Sequence, residues 1–174
     1  MPHSMPEIMA KLVHAIRTLL ANEKLAQFSP SEVAITFELG WLLRELFGDE
    51  WDVSGEYDRL GEDEKALQYP GRPAKKPSNR IRPDIIVHHM GETGVAHNLL
   101  VVEAKLQGNR RNHDYDDWKL RGMTWQQGEF GYFVGVHLVF FIPGQRLSAC
   151  KIYVNGKERP DGSAWLMKQI HPDE

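Results

Sequence analysis

Two stretches near the start of the chain repeat their apolar residues with the period of an α-helix. The first follows a capping box at residues 4–7 and is predicted to end at residues 22–24. The second begins at a similar box at residues 29–32 and continues to Phe47. Glu32 projects into the apolar arc of this second helix, whereas Glu38 lies on its polar side. Glu32 is therefore predicted to face the interior.

Shorter apolar stretches further along the chain have the length and alternation of β-strands. Strands are predicted over residues 51–58, 81–88, 98–106, 132–142 and 148–154. The short turn between the second and third of these strands predicts an antiparallel hairpin. A helix over residues 114–125 connects the third strand to the fourth, and residues 59–79 form a long loop without periodicity.

The order of these elements predicts an α/β fold. A three-stranded meander followed by a crossover helix gives a mixed sheet with helices packed on it. The strand at residues 98–106 is apolar on both faces, which places it in the centre of the sheet. Because the chain has 174 residues and no internal boundary, we expect a single domain over residues 1–174.

Composition narrows the class of protein. Hydrophobic residues make up 41% of the chain and charged residues 26%, as is typical of globular proteins. No stretch reaches the ~18 apolar residues of a membrane span, and the N-terminus lacks the pattern of a signal peptide, so we expect a cytoplasmic location without a membrane partner. Cys150 is the only cysteine, which excludes an internal disulfide and argues against a cysteine-based metal site.

Charge is distributed unevenly along the chain. The net charge of −3 argues against a strongly basic nucleic-acid-binding protein. Residues 49–64 are rich in acids, whereas residues 75–82 contain no acid and four bases, Lys75, Lys76, Arg80 and Arg82. Solvated loops explain either segment when it is taken alone. The basic segment leads directly into a predicted strand, so its four bases are also candidates for binding a phosphate backbone.

Charged residues interrupt the two strands of the predicted hairpin. Asp84 follows Pro83 in one strand, and Glu103 and Lys105 share one face at the end of the other. An antiparallel pairing brings Asp84 beside Glu103, and two adjacent carboxylates repel unless one is protonated or a cation binds between them. Mg²⁺, with Mn²⁺ as the alternative ion, is suited to such carboxylate oxygens and water.

The P-D … E-A-K pattern of residues 83–84 and 103–105, set in this order of elements, resembles the PD-(D/E)XK nuclease superfamily. The resemblance implies a restriction-endonuclease-like αβββαβ core over residues 30–142, with an extra N-terminal helix and an extra C-terminal strand. It also implies that Asp84, Glu103 and the carbonyl of Ala104 bind the metal, while Lys105 supports the nucleophilic water.

Two more residues match features of this superfamily. Glu32 corresponds to a glutamate that the first core helix often contributes to the catalytic site, and its place in the apolar arc independently favours it over Glu38. Lys119-Leu120 matches a Lys-Leu pair in the crossover helix of small uncharacterised members. Lys119 is grouped with the basic residues that are expected to contact nucleic acid.

Three functions remain open from the sequence. The leading hypothesis is a Mg²⁺-dependent endonuclease that hydrolyses phosphodiester bonds in DNA, and cutting both strands of a duplex would favour a homodimer. The second is a catalytically silent module that keeps the fold and binds nucleic acid or a protein partner. The third is a protein of the same fold that acts on RNA or a small phosphoester. The presence of Asp84, Glu103 and Lys105 favours an active enzyme, whereas net acidity favours a protein-binding role.

Overall fold

The structure is a computed structural model that describes residues 3–74 and 78–174. Its α-helices are α1 (Met5–Leu20), α2 (Glu23–Phe28), α3 (Glu32–Phe47), α4 (His113–Thr124) and α5 (Pro160–Ile170), with a short 3₁₀ helix at Val95–His97. Its strands are β1 (Asp52–Gly55), β2 (Arg59–Leu60), β3 (Asp63–Glu64), β4 (Ile85–His88), β5 (Asn98–Leu106), β6 (Val134–Phe141), β7 (Arg146–Val154) and β8 (Lys157–Glu158).

Six of the strands form one mixed sheet in the order β1-β4-β5-β6-β7-β8. The β4–β5 pair is antiparallel, β5 and β6 are parallel through the α4 crossover, and β6 and β7 are antiparallel. The predicted α/β class, the antiparallel hairpin and the mixed sheet are therefore confirmed. The strands β2 and β3 form a separate small hairpin within the segment that was predicted to be a loop.

Helices cover both faces of the sheet and bury β5 in its centre. The larger core lies between the sheet and α1, α3 and α5, and includes Leu100 and Val102 from β5. The smaller core lies under α4 and includes Val101. Side chains alternate along a strand, so Glu103 and Lys105 share the α4 face with Val101, near the carboxyl end of β5. No helix within the described residues is long and apolar enough to cross a membrane.

The start of α3 corrects one local prediction. Ser31, not Ser29, caps this helix by accepting a hydrogen bond from the amide of Ala34 at 3.3 Å. Ser29 instead ends α2 in a left-handed conformation with φ of 43°. Glu32 is therefore the first residue of the helix and is not the reciprocal partner in a capping box. Its carboxylate is left available for contacts with the sheet.

Two other boundaries and two further elements also differ from the prediction. The first helix ends at Leu20, and Asn22 caps the separate helix α2 by accepting hydrogen bonds from Lys24 and Leu25. The strand expected from residue 81 begins only at Ile85, after Pro83, whose missing N–H cannot join a ladder. Helix α5 and strand β8 had not been predicted at all.

Candidate functional site

The β4–β5 hairpin places Asp84 beside the carboxyl-terminal half of β5. Ile85 is in register with Val102, so the residue before Ile85 lies next to Glu103 and Ala104. Asp84 Oδ2 accepts a hydrogen bond from the Ala104 amide at 2.8 Å. Glu103 is only 1% exposed, and Asp84 is half-buried. The two carboxyl groups thus lie on neighbouring strands at the same end of the sheet.

Lys105 connects this pair to acids from two different helices. Its Nζ lies 3.2 Å from Asp116 Oδ2 on α4 and 3.7 Å from Glu32 Oε1 on α3. The other oxygen of Glu32 accepts hydrogen bonds from the Leu106 amide at 2.8 Å and from Asn109 Nδ2 at 2.9 Å. Glu32 is therefore anchored where β5 ends, and the first turn of α3 is fixed to the sheet at the site.

Lys119 is placed differently from its predicted role. The sequence grouped it with residues that contact nucleic acid, but its ammonium is buried under α4. Its Nζ lies 2.9 Å from Glu103 Oε1 and 3.5 Å from Asp116 Oδ1. A phosphate backbone needs an exposed cation, so in this position Lys119 balances the charge of the buried acids instead.

Together these side chains form a carboxylate cluster, which we define by its four acids and two lysines: Glu32, Asp84, Glu103, Asp116, Lys105 and Lys119. If all six groups are ionised, four negative and two positive charges leave an excess of two negative charges. Uncompensated charge is costly inside a protein. The cluster therefore favours either protonation of an acid or the binding of further positive charge.

Burial perturbs the two acids at the centre of the carboxylate cluster. It raises the pKa of Glu103 well above its ordinary value, and the nearby carboxylate of Asp84 adds to this effect, although Lys119 opposes it. Burial also raises the pKa of Asp84, against the hydrogen bond from Ala104, which lowers it. Both carboxyl groups therefore resist ionisation unless a cation stabilises them.

The donor set at Asp84 and Glu103 fits a hard divalent cation. Glu103 Oε1 is buried and accepts no well-aligned hydrogen bond from the described residues, although the Lys119 ammonium lies nearby. No three histidine, cysteine, aspartate or glutamate residues in the described part of the chain are grouped as a metal site. Mg²⁺ is commonly held by only one or two carboxylates and keeps several waters, so two carboxylates are sufficient.

Two bases of the predicted basic segment, Arg80 and Arg82, pair with the acidic segment. Arg80 Nε lies 2.7 Å from Glu64 Oε2, and the guanidinium of Arg82 lies 3.7 Å from Glu56 and 3.9 Å from Asp58. Lys75 and Lys76 lie outside the described residues. Any phosphate that contacts Arg80 or Arg82 therefore competes with these carboxylates.

A second polar group lies under α4, beside the carboxylate cluster, around Asp117. The Asp117 carboxylate contacts Lys151 Nζ at 2.6 Å, accepts a hydrogen bond from the Tyr153 hydroxyl at 2.7 Å, and lies 3.4 Å from His137 Nδ1. Burial raises the pKa of Asp117, but the hydrogen bonds from His137, Lys151 and Tyr153 outweigh it and hold the pKa below its ordinary value. His137 is in register with Glu103, so polar side chains continue across the sheet.

Sequence reasoning missed Asp116 as a member of the site. It had been interpreted only as an acid near the positive end of a helix. One signal was present: Asp116 and Lys119 are three residues apart, so they share the helix face that must cover an otherwise apolar sheet. Charged residues on a covering face need partners inside the protein, and Glu103 and Lys105 were the available partners.

A groove of about 480 Å³ opens beside the carboxylate cluster. Glu32 and Asp84 lie at one end of it, α3 forms one wall, and residues of β1 form the other. The half-buried Asp84 lines this groove, whereas the buried Glu103 is not among its lining residues. An extended ligand can enter along this groove and reach the acids.

No protein-family model, curated protein or solved structure matches this chain. The α/β class is established by the topology of the sheet.

Proposed function

We propose that this protein is a Mg²⁺-dependent phosphodiesterase that cleaves DNA at the carboxylate cluster. The observation that carries this proposal is the hydrogen bond from the Ala104 amide to Asp84, which fixes one carboxylate beside the buried Glu103. Two neighbouring acids with raised pKa values and an excess of two negative charges in their cluster are well suited to a divalent cation. The resemblance of the motif to PD-(D/E)XK nucleases supports the same function.

The residues that would hold the ion are Asp84, Glu103 and the backbone carbonyl of Ala104. Bound there, Mg²⁺ would polarise a phosphoryl oxygen and make water a better nucleophile at neutral pH. Asp84 is directed by its hydrogen bond to Ala104, and Glu103 by its contact with Lys119. The chain therefore fixes the orientation of both carboxylates before any ion binds.

Lys105 is the residue that would act on the reacting groups without binding the ion. Burial lowers its pKa, but the carboxylates of Asp116, Glu32 and Asp84 outweigh this effect and raise the pKa above its ordinary value. Lys105 therefore stays protonated at neutral pH and acts as a hydrogen-bond donor, not as a general base. In that state it can orient the attacking water and stabilise negative charge on the phosphate. Asp116 and Glu32 are positioning residues for its ammonium.

The alternative is a catalytically silent module with the same fold. One observation favours it: Lys119 supplies a cation to Glu103 at 2.9 Å, so part of the buried charge is balanced without a metal. The pairing of Arg80 and Arg82 with acids also reduces the positive surface available to a phosphate backbone. This alternative predicts binding of nucleic acid or a protein partner without hydrolysis.

A cleavage assay separates the two functions. Plasmid DNA and single-stranded, duplex and branched oligonucleotides are incubated with Mg²⁺, Mn²⁺ or EDTA, alongside an RNA of the same sequence. We expect metal-dependent cleavage that falls by about 100-fold or more in Asp84→Asn and Lys105→Ala. Lys151→Ala, which removes a half-exposed lysine from the same face of the sheet, is the matched control and should retain activity. Cleavage that is independent of both metal and Asp84 would refute the proposed centre.

A further inference from the structure

One face of α3 carries large apolar side chains that are exposed and do not pack into the core. The buried face of this helix consists of Ile35, Leu39, Leu43 and Phe47. A separate stripe at intervals of four residues, formed by Val33, Phe37 and Trp41, lies on the surface, with Phe37 68% exposed and Trp41 56% exposed. Clustered exposed apolar side chains of this size typically mark a binding surface.

This stripe forms one wall of the groove that leads to the carboxylate cluster. Phe37 and Trp41 line the groove, which has Glu32 and Asp84 at one end and Arg44 further along α3. The stripe is therefore continuous with the proposed catalytic centre. A ligand that lies across Phe37 and Trp41 also reaches the acids.

Glycines keep the groove open between α3 and β1. A Cβ at Gly40 would come no closer than 3.8 Å to Ile85, and a Cβ at Gly55 would meet the backbone oxygen of Asp84 at 3.6 Å. Both distances are ordinary van der Waals contacts, so neither glycine is required by close packing. Because neither residue has a side chain, that part of the groove stays unfilled.

One cation, Arg44, is among the residues that line the groove. Arg44 is exposed and forms no ion pair with any of the described residues, so its guanidinium is free to bind a phosphate. Glu56 on the opposite wall is 3.7 Å from Arg82, which offsets its negative charge. From the acids to Arg44, the groove thus offers a proposed phosphate-cleaving centre, two aromatic rings and a cation.

We propose that this groove binds unpaired nucleotides of a single strand, with their bases stacked on Phe37 and Trp41 and a phosphate at Arg44. The inference rests on the proposed function and names its substrate as single-stranded nucleic acid or a single-stranded segment beside a duplex. The rings are four residues apart, about 6 Å along the helix axis, so each can stack on a different base. Bases inside a duplex already stack on their neighbours and cannot offer their faces to these rings.

Binding measured without cleavage tests the groove directly. Fluorescence anisotropy is recorded on labelled single-stranded DNA, single-stranded RNA and duplex DNA, all with EDTA present. Phe37→Ala and Trp41→Ala should each weaken single-strand binding by about 5-fold to 150-fold, because stacking on one base contributes about 1–3 kcal/mol. Duplex binding should change by less than twofold. Arg44→Ala should lower the slope of log affinity against log salt by about 0.7.

Matched controls come from exposed aromatic residues elsewhere on the surface. Phe28→Ala on α2 is the control for Phe37, and Trp165→Ala on α5 is the control for Trp41. Both controls should bind single strands as the unaltered protein does. The inference would be overturned if the control variants lost as much single-strand affinity as the groove variants. It would also be overturned if the groove variants lost as much affinity for duplex as for single strands.

Failure of the groove inference can be distinguished from failure of the proposed function. Metal-dependent cleavage that requires Asp84 but is insensitive to Phe37→Ala and Trp41→Ala would overturn the groove assignment alone. Single-strand binding that is lost in both groove variants, without any cleavage by the unaltered protein, would support the groove and overturn the proposed enzyme. Sedimentation velocity tests whether a second copy of the protein binds the stripe instead. A dimer that Trp41→Ala converts to a monomer would assign the stripe to contact between two copies and overturn the inference.

Discussion

The carboxylate of Asp84 accepts a hydrogen bond from the backbone amide of Ala104, 2.8 Å away, across the β4–β5 hairpin. Ala104 directly follows Glu103, so this bond holds Asp84 beside a second, fully buried acid. Burial raises the pKa of both acids. The hairpin therefore imposes an arrangement that is unfavourable for two ionised carboxylates and favourable for a cation between them.

Substitutions at Asp84 separate its hydrogen bond from its charge. In EDTA at neutral pH, Asp84→Asn should be at least as stable as the unaltered protein. The pKa of Asp84 is raised in the folded protein, so ionisation of its carboxyl group lowers the free energy of unfolding, and asparagine does not ionise. Asp84→Ala should be less stable than Asp84→Asn by about 1 kcal/mol or more, because the Ala104 amide loses its acceptor. Urea denaturation measures both free energies of unfolding. If the asparagine variant is the less stable of the two, the hydrogen bond does not contribute as described.

Among the ion pairs under α4, the pair between Lys119 and Glu103 should contribute most to the free energy of unfolding. Lys119→Met leaves a buried carboxylate without its nearest cation and should lower the free energy of unfolding by about 3–5 kcal/mol. The double variant Lys119→Met/Glu103→Gln removes both charges and should recover most of that loss. Lys151→Met, which breaks a more exposed pair with Asp117, is the control and should cost about 1 kcal/mol or less. A double variant no more stable than Lys119→Met would argue against charge as the cause.

The central strand, the hairpin and the direction of Glu32 were predictable because each is indicated by a pattern of neighbouring residues. Strand β5 has the predicted bounds, since a mostly apolar run with turns at both ends permits few alternatives. The hairpin followed from the short turn before Asn98, and strand alternation then placed Glu103 and Lys105 on one face. Glu32 was correctly expected to face the sheet because it interrupts the apolar arc of α3.

Helix α2, helix α5 and the role of Lys119 were not predicted because neighbouring residues in the sequence indicate them weakly or not at all. Helix α2 has only 6 residues and fully buries none of them, so its sequence is too short for a clear amphipathic pattern. Helix α5 contains Gly162 and Ser163 near its start, which weaken its helical signal. The spacing of Lys119 and Asp116 indicates only that they share a covering face, because the partner Glu103 is brought to Lys119 only when α4 docks on the sheet.

Acid should destabilise the protein through His88, a buried residue of β4 whose ring contacts the Ser54 hydroxyl at 3.0 Å. Burial and the nearby Lys65 lower the pKa of His88 from 6.5 to about 4. Below pH 6.5 the unfolded chain takes up a proton that the folded protein does not, so stability falls until the pH reaches about 4. The loss attributable to this group is at most about 3 kcal/mol.

The variant His88→Gln isolates that effect, because glutamine is polar and does not titrate. Its free energy of unfolding, measured by urea denaturation, should fall less steeply between pH 6.5 and about 4 than that of the unaltered protein. His14→Gln, which removes an exposed histidine from α1, is the matched control. Identical pH profiles for the unaltered protein and His88→Gln would show that His88 is not the acid-sensitive group.

Calorimetric titration with Mg²⁺ and Mn²⁺ at neutral pH tests the proposed metal centre most directly, since it requires no substrate. We predict that the unaltered protein binds one ion per chain and that Asp84→Asn and Glu103→Gln each weaken binding by about tenfold or more. Asp52→Asn is the matched control, because Asp52 also accepts a backbone hydrogen bond at 2.8 Å but lies on the exposed strand β1. Binding unaffected by Asp52→Asn and lost in the other two variants is the predicted result. No binding to the unaltered protein, or binding that persists in both Asp84→Asn and Glu103→Gln, would contradict the metal centre.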